Sequence, residues 1–240
     1  MPPHEVILKG RESVAERTLA FRFSKPASFE FFAGQAVDVE LTDPSRPEAE
    51  VLKHTFSLTS APRETELTIA TRMRDSQFKR LLATIPVGAR AQLEGPFGSF
   101  TLHEDRNRSA VFIAGGIGIT PFRSILRDAL PTVERAPIVL FYSNPRPQDA
   151  AFLGELQTLA AKTERLILIA TMTKIEGSSI AWRGETGRIT PQLLDRHTRK
   201  LAAPIYYVVG PPAMVGGIRE MLASLGIRES DVRSEEFFGY

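Results

Sequence analysis

The chain has 240 residues, 42% hydrophobic and 24% charged, with a formal net charge of +2; that suffices for a sizeable core and, although the pI is about 9.0, gives no indication of a surface built around nucleic acid or an anionic membrane. It has no cysteine, which excludes disulfides, thiol catalysis and cysteine-ligated metal centres within these residues, and its four histidines, His4, His54, His103 and His197, have no ligand spacing. The opening MPPHEVILKG has no signal-peptide core and no run reaches membrane-spanning length, so a cytoplasmic protein is expected.

The first hundred residues alternate. Leu19, Phe21 and Phe23 share a face with Arg22 opposite, and Val37, Val39 and Leu41 interleave with Asp38 and Glu40. Leu67, Ile69 and Thr71 repeat the pattern, as do Ala89, Ala91 and Leu93. Period two with one polar face predicts half-buried antiparallel strands, and their number predicts a barrel or sandwich. His54-Thr55-Phe56-Ser57 sets an aromatic beside a hydroxyl in one strand. A short helix is predicted over Ser76–Thr84, with Phe78, Leu81 and Leu82 on one face. Arg72, Arg74, Lys79 and Arg80 gather about its start; both a pyrophosphate cradle and a solvated basic face fit that pattern.

After the polar stretch HEDRNRS the apolar runs become continuous: Val111–Ala114, Ile138–Tyr142, Leu166–Ala170 and Ile205–Val209. Such runs suit strands buried on both faces of a parallel sheet. Helical stripes lie between them, one of Phe152, Leu153, Leu156 and Leu159, another of Met214, Ile218, Met221, Leu222 and Leu225 closing at Gly226. The alternation predicts a doubly wound α/β sheet. Two domains are therefore expected, an antiparallel β-barrel over 1–105 and an α/β domain over 106–240.

VFIAGGIGITPFRSIL, residues 111–126, joins the first such strand to a helix. The strand is predicted to end at Gly115 and the helix to begin near Pro121, with Thr120 as its N-cap. Glycine at 115, 116 and 118 admits a phosphate close to the backbone at the helix end, so Gly116-x-Gly118-x-x-Pro121 reads as a modified dinucleotide turn; a tight ligand-free turn fits equally. Ser143-Asn144-Pro145-Arg146, Thr171-Met172-Thr173 and Gly210-Pro211-Pro212 end other strands along the same edge, where α/β ligands bind. No carboxylate follows the second strand, so Ser143 and Arg146 are candidates for a 2′-phosphate, although a solvated loop charge fits Arg146 as well; the reading leans to NADPH or to a site indifferent between the two coenzymes. The terminus EEFFGY places three aromatics in its last four residues.

In this order, FFAGQAVDVEL, HTFSLTSAP, LEGPFGSF, VFIAGGIGITPFRSIL, FYSNPRP, YYVVGPPAMV and EEFFGY resemble the ferredoxin–NADP reductase family over nearly the whole chain. The resemblance implies a flavin-binding barrel followed by a nicotinamide-binding α/β domain, with FAD and NADPH or NADH as cofactors. It implies that Phe56 packs on the isoalloxazine and Ser57 hydrogen-bonds near flavin N5. His54 replaces the family's arginine at the FAD pyrophosphate, a contact available when protonated, so FAD affinity is expected to weaken above its pKa. Ser76 with its neighbouring backbone matches the second phosphate contact, and Ile69 and Thr71 the strand beside the ribityl chain; Thr55, Arg72 and Gln77 join that flavin set. Gly115, Gly116, Gly118, Ile119, Thr120 and Pro121 match the nicotinamide turn, with Ser143, Asn144, Arg146, Gly210, Pro211 and Met214 along the same edge. Val209 stands where a cysteine is frequent, which removes a thiol role. Ser57, Thr120 and Glu236 are the residues expected nearest the reacting rings. Phe237, Phe238 and Tyr240 are candidates to cover the flavin face, although two of them equally suit closure of the α/β core.

The implied activity is hydride passage between nicotinamide and flavin N5, with onward electron transfer to a separate carrier, a ferredoxin or flavodoxin docking on the basic group 72–80. A free-flavin or ferric-chelate reductase, and a non-catalytic flavin- or nucleotide-sensing module, remain as alternatives.

Overall fold

In a computed structural model, residues 3–42, 51–132 and 136–238 are described; Tyr240 lies outside them. Six antiparallel strands occupy the first half: β1 (His4–Ala15), β2 (Thr18–Ser24), β3 (Ala36–Thr42), β4 (Val51–Ser57), β5 (Glu66–Arg72) and β6 (Arg90–Phe97). Their order is β4-β3-β6-β1-β2-β5. The edge strands curl toward each other and meet at one bridge, Leu58 to Ile69; the sheet is barrel-like rather than a closed barrel. Alternation holds where one face meets the core, since Phe21 and Phe23 are fully buried and Arg22 is exposed. It fails in β5, where Leu67 through Thr71 are all buried. The outer face of that strand is covered by the second half, whose core takes in Ala70 and, from β2, Ala20. Helix α1 (Gln77–Thr84) is capped by Ser76, whose Oγ accepts from Lys79 N at 3.2 Å.

The second half is a parallel sheet of order β10-β9-β8-β7-β11-β12. Its strands are β7 (Ala110–Gly115), β8 (Ile138–Asn144), β9 (Leu166–Met172), β10 (Glu185–Thr186), β11 (Ile205–Gly210) and β12 (Val232–Glu236). Side chains alternate between two cores. Phe112, Leu140, Tyr142 and Tyr207 face α2 (Ile119–Thr132) and α3 (Leu153–Ala161), while Val111, Ile113, Val139 and Phe141 face α4 (Pro191–Thr198) and α5 (Pro212–Ser224). Gly226, at φ +77°, follows the last turn of α5 in the left-handed conformation that glycine tolerates. The strand order reverses between β7 and β11, and the turns at 115–118 and 210–212 both lie at that reversal. A crevice opens at the carboxyl ends of strands at such a point.

Sequence and structure differ at two element ends. A 3-10 turn over Gly116–Gly118 runs directly into α2 at Ile119. Thr120 is therefore inside the helix rather than its N-cap, and its Oγ1 donates to Ile117 O at 3.0 Å. Strand β8 extends through Ser143 and Asn144, because Thr171 and Met172 of β9 continue to pair with them; only Pro145 and Arg146 belong to the following loop.

Candidate functional site

A cavity of about 380 Å³ lies where the two halves meet. The barrel contributes His54, Thr55, Phe56 and Ser57 from the end of β4, Ala70, Thr71 and Arg72 from β5, Ala36 from β3 and Lys79 from α1. The second half contributes Ile117 and Thr120 from the β7–α2 connection and Glu235, Glu236, Phe237 and Phe238 from the end of β12. Segments far apart in the chain thus converge because β4 and β5 are the two edges of the barrel-like sheet, and β7 and β12 end on the same side of the parallel one.

His54, an exposed residue, Arg72 and Lys79 are basic members of the lining. The His54 ring meets Phe56 at 4.7 Å and Phe78 at 5.5 Å between centroids. That burial, with the Lys79 charge second, holds the imidazolium below its usual range against the opposing pull of Asp38. The lowered pKa confines the expected contact of a protonated His54 to the acid side of the ordinary histidine range. Lys79 is buried and donates through Nζ to Arg72 O at 3.0 Å; its own pKa is lowered by burial and then by Arg74. Arg80 pairs with Asp75. The basic group is therefore not a free docking face: one lysine walls the cavity and two of its arginines have carboxylate partners.

Phe56, against the His54 ring, and Ser57 are buried, and the Ser57 hydroxyl makes no hydrogen bond among the described residues. Glu235, on the strand that brings the terminus into the cavity, has its carboxyl pushed up by burial. The chain is carried past β12 by Phe237 N donating to Gly210 O at 2.9 Å. Phe237 packs against the α/β core, whereas Phe238 is 77% exposed at the cavity rim.

A second cleft of about 490 Å³ is lined by Ser143, Thr173, Arg188, Pro211 and Met214, among others. Among the described residues Arg188 has no hydrogen-bond or ion-pair partner. Arg146, by contrast, is committed to carboxylates: Nε to Asp149 Oδ2 at 2.8 Å and Nη2 to Glu16 Oε2 at 3.1 Å. Its expected place at a 2′-phosphate is taken by those partners.

The remaining expected residues stand outside both cavities. Ile69 is fully buried in the barrel core, and its neighbour Ala70 takes the wall position instead. Ser76 caps α1, and Gln77 opens that helix. Gly115 and Gly118 serve packing: a Cβ on Gly118 would fall 2.4 Å from Val209 O, and one on Gly115 2.3 Å from Met214 Sδ. Gly210 abuts Gly115, its would-be Cβ 3.1 Å from the Gly115 Cα. Gly116 sits at φ +54°, and Ile119 and Pro121 begin α2. Asn144 is 2% exposed with neither carboxamide atom hydrogen-bonded. Ala36, Ala70, Ile117, Glu235 and Arg188 are cavity-lining residues that sequence reasoning missed. Ala70 and Glu235 adjoin Thr71 and Glu236 in their strands, and period two assigns neighbours to opposite faces, so it gave no signal for them; Arg188 lies in a segment with no periodic signal.

Residues 112–220 match the family model of the oxidoreductase NAD-binding domain. The chain is 28% identical over 231 residues to ferredoxin–NADP reductase B of Sorangium cellulosum strain So ce56, covering 92% of this chain and 91% of that one. It is 30% identical over 183 residues to methane monooxygenase component C of Methylosinus trichosporium, covering 73% of this chain and 52% of that protein, so it spans about half of that relative's length. The solved ferredoxin NADP+ reductase from Neisseria gonorrhoeae with bound FAD and NADP shares the fold, with a TM-score of 0.82 and 21% identity over 98% of this chain and 99% of that one. Among the described residues no helix is long and apolar enough to cross a membrane.

Proposed function

We propose that this chain, which belongs to the ferredoxin–NADP reductase family, is an FAD-dependent oxidoreductase that takes reducing equivalents from NADPH or NADH and hands them to a separate carrier. The observation that carries this reading is the cavity between the halves. It brings aromatic and hydroxyl-bearing side chains together with cationic ones, and a flat ring system with a phosphate tail needs both. The donor set fits FAD: Arg72 and Lys79 for phosphate, Phe56 and Phe238 for the ring, Ser57 for a ring hydrogen bond.

Bound flavin would supply the two-electron chemistry, accepting hydride at N5 and releasing electrons one or two at a time. The protein's part is position and electrostatics. Ser57 offers an uncommitted hydroxyl to the ring edge. The Thr120 proton is engaged by Ile117 O, so this hydroxyl presents its lone pair to the cavity as an acceptor. Glu235 and Glu236 enter from β12, and burial raises the pKa of Glu235, which favours a proton on its carboxyl. Phe238, exposed at the cavity rim, would cover the ring of a bound flavin and would have to give way to a nicotinamide, since hydride transfer requires near contact. The second cleft takes the adenosine half of the coenzyme, with Ser143 and Arg188 in the role that sequence alone gave to Ser143 and Arg146. The acceptor is a ferredoxin, a flavodoxin or the carrier site of an oxygenase system, a range matching the reductase and monooxygenase-component names of the relatives.

The visible spectrum of the purified chain, recorded anaerobically before and after each coenzyme, tests this. A retained flavin band bleached by NADPH or NADH is expected, with faster bleaching by NADPH if Arg188 reads a 2′-phosphate. A chain that gains no flavin on reconstitution would overturn the proposal.

A further inference from the structure

Asp149 is the most deeply buried carboxylate with a link across the boundary between the halves. Its side chain is 2% exposed, in the short turn Pro147–Asp149 after β8. Burying a carboxylate is costly unless cations and hydrogen bonds compensate. Here they do, and the cations come from both halves. Arg146 of the same loop donates Nε to Oδ2 at 2.8 Å and Nη2 to Oδ1 at 3.0 Å. Arg72, the last residue of β5, donates Nη2 to Oδ1 at 3.1 Å. The bonds from Arg146 first, and then the Arg72 charge, hold the Asp149 carboxyl below its ordinary range despite burial. A second pair runs the opposite way, from Arg146 Nη2 to Glu16 Oε2 in the barrel at 3.1 Å, beside Glu16 N donating to Gln148 O at 2.7 Å.

Arg72 is the member of this network that reaches the cavity. It forms part of the cavity wall and its side chain is 24% exposed. Its backbone carbonyl is fixed by Lys79 Nζ at 3.0 Å. A guanidinium has five N–H donors in a rigid fork. Asp149 occupies the Nη2 arm, and among the described residues the remaining donors have no acceptor. An unanchored arginine at this place would sample many rotamers; one tied at Nη2 presents its other N–H groups in a fixed direction, the arrangement suited to a phosphate.

We propose that Asp149 is a positioning residue: reaching from the α/β half, it orients the Arg72 guanidinium toward a phosphate of the flavin nucleotide held in the cavity. The inference rests on the flavin reading above. It also links the halves functionally, because flavin affinity then depends on a side chain from the half proposed to bind the coenzyme. The Glu16–Arg146 pair supplies a control, since it crosses the same boundary without touching Arg72.

The test uses the full chain stripped of flavin, and compares riboflavin, FMN and FAD binding by quenching of flavin fluorescence, with folding checked by circular dichroism. Riboflavin has the ring and no phosphate, so the ratio of its Kd to that of FMN isolates the phosphate contact. Asp149→Asn is expected to reduce that ratio about tenfold, the scale of one charge-assisted hydrogen bond, with riboflavin affinity unchanged. Arg72→Gln should do the same, and the double variant should be no worse than either single one. Glu16→Gln should leave the ratio as it is. Should Asp149→Asn not fold, Asp149→Glu, which retains the charge at a displaced position, is read instead and should show a smaller loss of the same kind. Equal weakening of riboflavin and FMN in the Asp149 variant, no change in either, or the same ratio loss in Glu16→Gln would overturn the inference while the flavin reading survives. A wild-type chain that binds none of the three flavins would end both.

Discussion

His54 stands where the family's arginine is expected, but its environment does not keep it charged. The ring lies against Phe56 and Phe78 with Lys79 nearby, and its pKa falls below 6.5. For a base whose folded pKa is depressed, stability is full above the unfolded value and is lost as pH falls from 6.5 toward the folded value. The same sign governs ligand binding: any gain for phosphate from protonation arrives only on the acid side. FAD affinity is therefore expected to be flat between about pH 7 and about pH 9 and to change only below that range. His54→Arg, which restores a permanent cation, should tighten FAD about tenfold near neutral pH and by less in acid; titration of flavin fluorescence at several pH values measures both. Affinity falling steadily through neutral pH would show instead that the histidine is charged there. The sequence made this position visible through its neighbours, Phe56 and Ser57. Its charge state was not visible, because it depends on Phe78 and Lys79, one turn of a helix more than twenty residues away.

The β7–α2 connection shows what can be read at the level of an element. Its strand, its glycines and its following helix are all plain in VFIAGGIGITPFRSIL. The reason for two of those glycines is not. Gly118 faces the backbone of Val209, where a Cβ would lie 2.4 Å from the carbonyl oxygen, and Gly115 faces the Met214 thioether. Both contacts arise from β11 and α5, nearly a hundred residues on, so no local pattern signals them. The obstacles also differ in kind, since a strand carbonyl cannot yield whereas a thioether can swing aside. Gly118→Ala is accordingly expected to cost about 2 kcal/mol, the usual scale of core overpacking. Gly115→Ala should cost less and be partly rescued by Met214→Ala, since the Pro211 ring, whose Cδ would lie 3.0 Å from the new Cβ, stays in place. Urea midpoints for the four variants, including Met214→Ala alone, decide this; equal costs at the two glycines, or no rescue, would contradict the packing account. The helix start at Ile119 was likewise hidden. The 3-10 turn merges with α2, and the Thr-Pro pair that marks an N-terminus falls within the first turn of α2 rather than ahead of it.

The two halves are legible as wholes because each repeats one period many times, two in the barrel and continuous burial in the parallel sheet. Their joining is not, since it consists of single long-range contacts. Arg123 of α2 donates to Thr59 O at 2.8 Å, Ser124 to Ser60 O at 2.6 Å, and Arg127 pairs with Glu64 at 2.7 Å. Phe100, before the polar stretch that marks the expected boundary, packs in the α/β core with ring centroids 5.7 Å from Phe122 and 5.6 Å from Tyr207. His103 Nδ1 lies 2.9 Å from the Tyr207 hydroxyl. With Ala20 and Ala70 in the same core, unfolding of the α/β half strips cover from β5, so the halves should melt as one cooperative unit. Trp182, the sole tryptophan, packs against that core and reports on the α/β half alone, while far-UV circular dichroism reports on both. In the wild-type chain the two urea transitions are expected to coincide. Phe100→Ala removes a buried aromatic at a cost of about 3 kcal/mol or more, and it does so at the point where the halves interlock. The tryptophan transition should then move to lower urea and separate from the circular dichroism curve, as the α/β half opens first. Two separate transitions already present in the wild type, or an equal shift of both curves in the variant, would mean that the shared core does not set the cooperativity of the molecule.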